Sequence, residues 1–294
     1  MKEIHEFRIY KEYAHLLLKP GEGKDNGSKI VVFINRDDDK FEQVRILTKQ
    51  IKEKYNKSFF LYSNIKREYS KKELATATLL QMKIRTTFEP AGEECGTLYD
   101  ETAACEICGA NRKQVGALKL KKSSIPKKDI ARTIAGEVVV SQKFVTAFKQ
   151  KKLKGALFEP IVFAKGTSDY YQLIASSPEL ELTDKTIAGV DVFDFSEGSK
   201  GGEFTVSGGH HVKLEREIYK CPKGHTIGLN LLSEAYVLNS AVITESDFFV
   251  SKQKIGVKRG LLRPEPIYFC SQAFREMIEE EKLIGFEFEI ANIK

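Results

Sequence analysis

Little in this chain is spent on the residues that secreted mini-domains or membrane spans depend on. Five cysteines in 294 residues are too few for a disulfide framework, and a pair of them separated by two residues fits a reducing compartment. No run approaches the roughly 18 apolar residues of a membrane-spanning helix. The opening Met1-Lys2-Glu3-Ile4-His5-Glu6 carries acids where a secretion signal would be apolar, so a cytoplasmic protein without a membrane partner is expected. No GxSxG, HExxH or complete phosphate loop is present, and the glycines of Pro20-Gly21-Glu22-Gly23 are not closed by a Gly-Lys-Ser/Thr turn. The net charge of +6 is mild for this length and does not by itself imply nucleic acid. A composition of 41% hydrophobic and 30% charged residues excludes wholesale disorder and allows a substantial core.

The few cysteines are well placed. Cys105-Glu106-Ile107-Cys108-Gly109 has the spacing of a knuckle that turns two sulfurs toward one ion. Cys221-Pro222-Lys223-Gly224-His225 adds a thiol and an imidazole. Together Cys105, Cys108, Cys221 and His225 make a Cys₃His set suited to structural zinc, Zn²⁺, in a tetrahedral site with no open position. Two alternatives stand beside it. The cysteines could be ordinary small core residues, or the first pair could be a redox motif, although it follows an acidic turn, Tyr99-Asp100-Glu101-Thr102, and not a clear strand.

Along the chain, Ile30 to Ile34 reads as a buried strand. Asp37-Asp38-Asp39 opens a helix with Phe41, Val44, Leu47, Ile51 and Tyr55 on one face, where acids complement the dipole; a divalent-cation site is the minor alternative. Phe59 to Tyr62 is expected as a strand and Lys71 to Leu80 as a helix. Ile84 to Phe88 and Leu118 to Lys121 read as strands, and Lys127 to Ala135 as a helix entered through Pro126. Tyr170 to Ala175, Val190 to Phe195 and Asp247 to Val250 also have strand character. His210 and His211, with Asp191 and Asp194, are the residues to inspect for chemistry, but adjacent residues of an extended chain point in opposite directions.

A second signal is an internal repeat at a spacing of 130 residues. Ser141/Ser271, Gln142/Gln272, Phe144/Phe274, Lys152/Lys282, Leu153/Leu283, Gly155/Gly285, Phe158/Phe288 and Glu159/Glu289 match without a gap. Each copy predicts a strand, a Ser-capped helix, a glycine ending that helix, and a further strand. Alternation in the last strand puts Glu287 and Glu289 on a wet face, and Cys270, aligned with Val140, in the core. The expected architecture is α/β (α+β): a small α/β unit over 1–84, a first CxxC lobe over 85–165, and a strand-rich connection with a second lobe over 166–294. The lobes are duplicated strand-helix-strand modules linked by the Cys₃His zinc site, each contributing two ligands.

The CxxCG knuckle, the Cys-Pro-x-Gly-His segment and the SQxF…LxGxxFE endings together resemble the bacterial double-CxxCG motif proteins, some of which are described as immunity proteins paired with contact-delivered toxins. The resemblance covers roughly residues 88–165 and 215–292. It departs at the second knuckle, where Lys223 and His225 replace the CxxCG pattern. It implies a zinc-stabilised binding protein of immunity type, neutralising a protein partner, a cognate toxin, by stoichiometric association.

Charge offers a second expectation. Residues 110–160 hold 13 Lys and Arg against 3 Asp and Glu, while residues 261–294 hold 4 against 7. Lys119, Lys121 and Lys122 in the first stretch, with Lys252, Lys254, Lys258, Arg259 and Arg263 near the second, are candidate contacts for an acidic partner surface. They make a zinc-containing nucleic-acid-binding protein the second functional class. A hydrolase-like enzyme comes third, because no catalytic set can be assigned.

Overall fold

The structure, a computed structural model, describes residues 1–189, 192–193, 203–205, 211–213, 221–226, 228, 230–239, 241–256, 258 and 260–294. Mixed helices and strands make it a sheet-rich α+β protein. Among the described residues, no helix is long and apolar enough to cross a membrane. Val190, Asp191, Asp194, His210 and Arg259 lie outside the described residues. The chain divides into two compact units, Met1–Glu73 and Leu74–Lys294.

In the first unit, β1 (Lys2–Tyr10) is followed by α1 (Lys11–Ala14), β2 (Lys24–Asn26), β3 (Lys29–Asn35), α2 (Asp39–Tyr55) and β4 (Phe60–Glu68). Its sheet has the order β2-β3-β1-β4, with every pairing antiparallel. The helix after the three aspartates begins at the third of them and is capped by the second, since the Asp38 carboxylate accepts from the Lys40 N–H. This is capping chemistry. Val44 and Ile51 are buried on α2, and Phe7, Ile9, Val32 and Ile34 are buried in the strands.

The division falls inside α3 (Lys71–Thr76). The expected helix over 71–80 is cut short. Leu79 to Ile84 is strand β5, buried at its first four positions and paired with two strands from the end of the chain. Beyond it come β6 (Thr87–Phe88), β7 (Leu98–Asp100), β8 (Lys113–Val115), β9 (Ile130–Thr133), β10 (Val138–Ser141), α4 (Gln142–Gln150), β11 (Ala156–Pro160) and β12 (Tyr170–Ala175). Next are β13 (Ala188–Gly189), β14 (Glu203–Thr205), β15 (His211–Lys213), β16 (Asn230–Leu231), β17 (Ala235–Val237), β18 (Phe248–Ile255), β19 (Glu265–Cys270), α5 (Gln272–Glu280) and β20 (Phe286–Ile293).

Residues 127–135, expected as a helix, are instead a hairpin arm. Ile130 and Thr133 are β-branched and stiff at χ1, and Gly136 at φ +92° turns the chain back so that β9 pairs with β10. The stretch around Lys119 forms an isolated bridge to Val162, yet keeps its alternation, with Leu118 and Leu120 buried between exposed lysines.

Two five-stranded sheets dominate the second unit, in the orders β11-β12-β10-β9-β6 and β17-β20-β5-β19-β18. Four strands of each correspond. Val140 faces Ile130 and Tyr171, while Cys270 faces Phe248 and Leu80. Glu159 faces Gln172, and Glu289 faces Gln81. The register is thus the same at each shared pairing. The two helices and the inner faces of both sheets enclose one core containing Leu80, Met82, Ile130, Val140, Phe144, Phe148, Phe248, Cys270, Phe274 and Ile278. The Phe144 and Phe274 rings lie 5.8 Å apart within it. Opposite faces are covered separately, around Val139 and Leu118 in one sheet and around Phe269 and Leu79 in the other.

The two helix starts use the same cap: Ser141 accepts from Phe144 N–H and Ser271 from Phe274 N–H, each at 3.2 Å. Each serine hydroxyl then donates to an aspartate, Ser141 to Asp129 at 2.8 Å and Ser271 to Asp247 at 2.7 Å. The second carboxylate oxygens reach across. Asp129 accepts from Ile284 N–H at 2.8 Å, and Asp247 accepts from Lys154 N–H at 2.9 Å. The glycines next to these two donating N–H groups do not end the helices as expected; Lys152 and Lys282, at φ +55° and +51°, do that. Gly155 and Gly285 are needed because a Cβ would lie 2.3 Å from Phe248 O and 2.5 Å from Ile130 O, respectively. Glu289 also departs from expectation. It is buried, and Lys83 Nζ lies 2.7 Å from its carboxylate.

Candidate metal centre

Two turns from distant parts of the second unit converge on one point. The first is presented by the hairpin β7–β8, and it folds back on itself through Cys105 N–H to Ala110 O at 2.7 Å and Gly109 N–H to Cys105 O at 2.8 Å. Gly109 holds φ +72°, a backbone region that glycine enters at little cost. The second turn repeats the plan: Cys221 N–H donates to Thr226 O, and Gly224 N–H to Cys221 O, both at 2.8 Å. Gly224 sits at φ +76°.

Both turns are fastened to the end of β18 and the residues after it. Lys254 N–H donates to His225 O at 2.7 Å, and Lys258 N–H to Cys108 O at 3.2 Å. A side chain at Gly109 would collide with Lys258, whose Cβ lies 2.4 Å from the position of an added Cβ. The same short segment thus sets the height of both knuckles.

Cys105, Cys108, Cys221 and His225 bring their ligand atoms within 4.8 Å of one another. Cys105 Sγ is 4.0 Å from Cys221 Sγ, and Cys108 Sγ is 4.0 Å from His225 Nδ1. Sulfurs at the corners of a tetrahedron with metal–sulfur bonds of about 2.3 Å stand about 3.8 Å apart, so this spacing suits one central ion. The three cysteines are buried, with Ala110 packed among them. This Cys₃His group can bind a metal ion. The thiols differ in tendency. Cys108 N–H, then Ile107 N–H, donate to the Cys105 sulfur against the effect of burial and draw its pKa down to about 6. Burial pushes the Cys108 thiol up. Cys95 and Cys270 stand apart: Cys270 is fully buried in the core, as its alignment with Val140 implied.

The candidate partner contacts are distributed unevenly. Lys119 and Lys121 are exposed. Lys122 pairs with Asp169 at 2.7 Å and Lys252 with Glu181 at 3.8 Å. The remaining three lie near the metal group. Lys254 Nζ donates to Asn111 Oδ1 at 2.5 Å. Lys258 pairs with Glu101 at 3.2 Å, and Arg263 with Glu101 at 3.3 Å and Glu93 at 3.5 Å. Arg112 joins both acids, at 2.9 Å to Glu93 and 3.1 Å to Glu101, with its guanidinium 3.8 Å over the Tyr99 ring. The acidic turn before the first knuckle therefore collects three cations. Burial alone would raise the Glu101 carboxyl, but hydrogen bonds from Arg112 and Lys258 hold it below its usual range. His211 lies in β15.

Reading the sequence for chemistry missed Asp129 and Asp247, which tie the capped helices to the opposite sheet, and missed Glu101, Arg112 and Tyr99 beside the first knuckle. Each has an ordinary local context. The acidic turn at 99–102 is the one signal visible in the sequence, and nothing near it in the chain marks its cationic partners. No protein-family model matches the chain, and no curated protein matches it.

Proposed function

We propose that the Cys₃His group holds a structural zinc ion and that the chain is a binding protein of immunity type, neutralising a partner toxin by forming a stoichiometric complex. The observation that carries this reading is the meeting of four protein ligand atoms within 4.8 Å of one another: around a tetrahedral ion they would leave no position for substrate or water. Such a site stabilises a scaffold and performs no hydrolysis. The resemblance to double-CxxCG proteins, in its knuckle and its SQxF…LxGxxFE endings, supplies the partner class. The common strand order and register of the two large sheets support reading them as copies of one module clasped by the ion.

Exposed Lys119 and Lys121 support contact with an acidic surface, whereas Lys254, Lys258 and Arg263 serve internal partners first. Nucleic acid is the second reading for the same exposed lysines, and salt-dependent retention on DNA or RNA separates the two. Elemental analysis of the purified chain is expected to give one zinc per molecule. Coexpression with a toxin encoded beside it is expected to yield an equimolar complex and protect the cell. A metal-free chain that is fully folded removes the first half of the proposal, and absence of both complex and protection removes the second.

A further inference from the structure

Next to the first knuckle lies a polar cavity of about 220 Å³, and its hydrogen-bonding groups do not balance. Tyr99, Arg112, Glu137, Gln172, Lys254 and Arg263 are among its lining residues. Glu137 is the carboxylate among these six, and both of its oxygens are occupied, one by the Tyr99 hydroxyl and one by the Thr133 hydroxyl. Gln172 exchanges amide hydrogen bonds with Gln114, at 2.8 and 3.0 Å. Acceptors in the wall are therefore largely engaged.

Donors are not. The Arg263 side chain is only 9% exposed, its terminal nitrogens are held by Glu101, Glu93 and backbone carbonyls, and its buried Nε–H has no partner. Lys254 is directed to the neutral Asn111, and among the described residues no carboxylate lies within ion-pair distance of it. An ammonium carries three donors, so two remain. A buried donor such as Arg263 Nε left unpaired costs about 1–3 kcal/mol, and the half-buried Lys254 ammonium feels Glu179 and the Cys108 sulfur from a distance, with no ion-pair contact to either. Apolar matter would leave both deficits in place. A group that only accepts and bears negative charge corrects both.

We infer that this cavity is a binding site for a small oxyanion, the carboxylate or phosphate group of a ligand, held by Lys254 Nζ and Arg263 Nε with the Gln172 amide beside them. The site is separate from the metal ligands, although Lys254 also anchors His225 through its backbone. It stands independently of the proposed toxin partner, because its ligand is defined by the donors alone.

The test titrates the full zinc-loaded chain with inorganic phosphate and, separately, with acetate, followed by amide NMR and calorimetry. Saturable binding is expected, with Kd on the order of 1 mM or tighter, and with shifts concentrated at Gly109, Asn111, Gly136 and Arg263. The preferred anion tells phosphate from carboxylate ligands. Lys254→Met and Arg263→Lys are each expected to weaken it about tenfold or more; the second keeps the charge facing Glu101 but lacks Nε. Lys252→Met, which alters an exposed lysine of the same strand, is expected to change nothing. Circular dichroism and zinc content check folding, and Arg263→Lys carries the test if Lys254→Met fails to fold. Absence of saturable shifts with both anions overturns the inference, as does equal weakening by Lys252→Met.

Discussion

The two large sheets reach the same pairings by different routes. In the first, β9, β10, α4, β11 and β12 follow one another, and the chain supplies all four shared strands from one continuous stretch. In the second, β18, β19, α5 and β20 are continuous, but the strand between β19 and β20 is β5, which arrives from upstream of both sheets. Gln172 and Gln81 occupy the same register and are both buried. The lesson is that a sheet position is specified by what faces it and not by where its strand lies in the chain.

That comparison can be broken experimentally. The largest effect is expected from the metal group, which joins two turns from distant parts of the second unit. Chelation or Cys108→Ser should lower the melting temperature more than any change below, because binding energy at such a site is folding energy. Thermal scans with and without zinc check it; unchanged melting would mean that the four ligands meet without an ion's help.

Next come the close-approach glycines. Gly155→Ala and Gly285→Ala each force a Cβ against a carbonyl oxygen in a left-handed backbone, and each should cost about 2–3 kcal/mol. Chemical denaturation measures both. Similar costs sustain the equivalence of the two sites, while a neutral change at Gly285 alone would show that the two close contacts are not equivalent.

The aspartates follow. Asp129→Asn and Asp247→Asn each weaken a carboxylate that accepts from a serine hydroxyl and from a backbone N–H of the opposite segment, at about 1–2 kcal/mol apiece. Their double mutant reports whether the two cross-ties act together, through a departure from additivity. The smallest effects belong to the caps: Ser141→Ala and Ser271→Ala should each cost about 1 kcal/mol, read from shifts in denaturation midpoint at constant slope.

Much of the architecture was legible because the repeat is local. Ser141 and Ser271 announce caps, Phe144 and Phe274 announce buried helix faces, and the cysteine spacing announces turns that converge. What escaped the sequence was non-local or depended on competition between similar signals. Residues 127–135 carry a helix entry at Pro126 but also a Gly136 hairpin, and pairing with β10 decided the outcome. Leu79 to Ile84 follows a helical start without a break, and only its distant partners make it a strand. Gly155 and Gly285 looked like helix stops, yet the constraint on them comes from a carbonyl more than ninety residues away in one case and more than one hundred and fifty in the other. Glu289 looked wet by alternation, and became buried because Lys83 on the imported strand neutralises it.

The imported strand has a consequence for synthesis on the ribosome. Leu79, Leu80 and Met82 emerge long before Glu265–Cys270 and Phe286–Ile293, the segments that will flank them. Until those are made, a ribbon with apolar side chains and unpaired main-chain groups waits, and such ribbons are prone to stray association. Completion of the second sheet is thus a late event in the life of the nascent polypeptide, and chaperone capture of stalled chains should centre on residues 79–84.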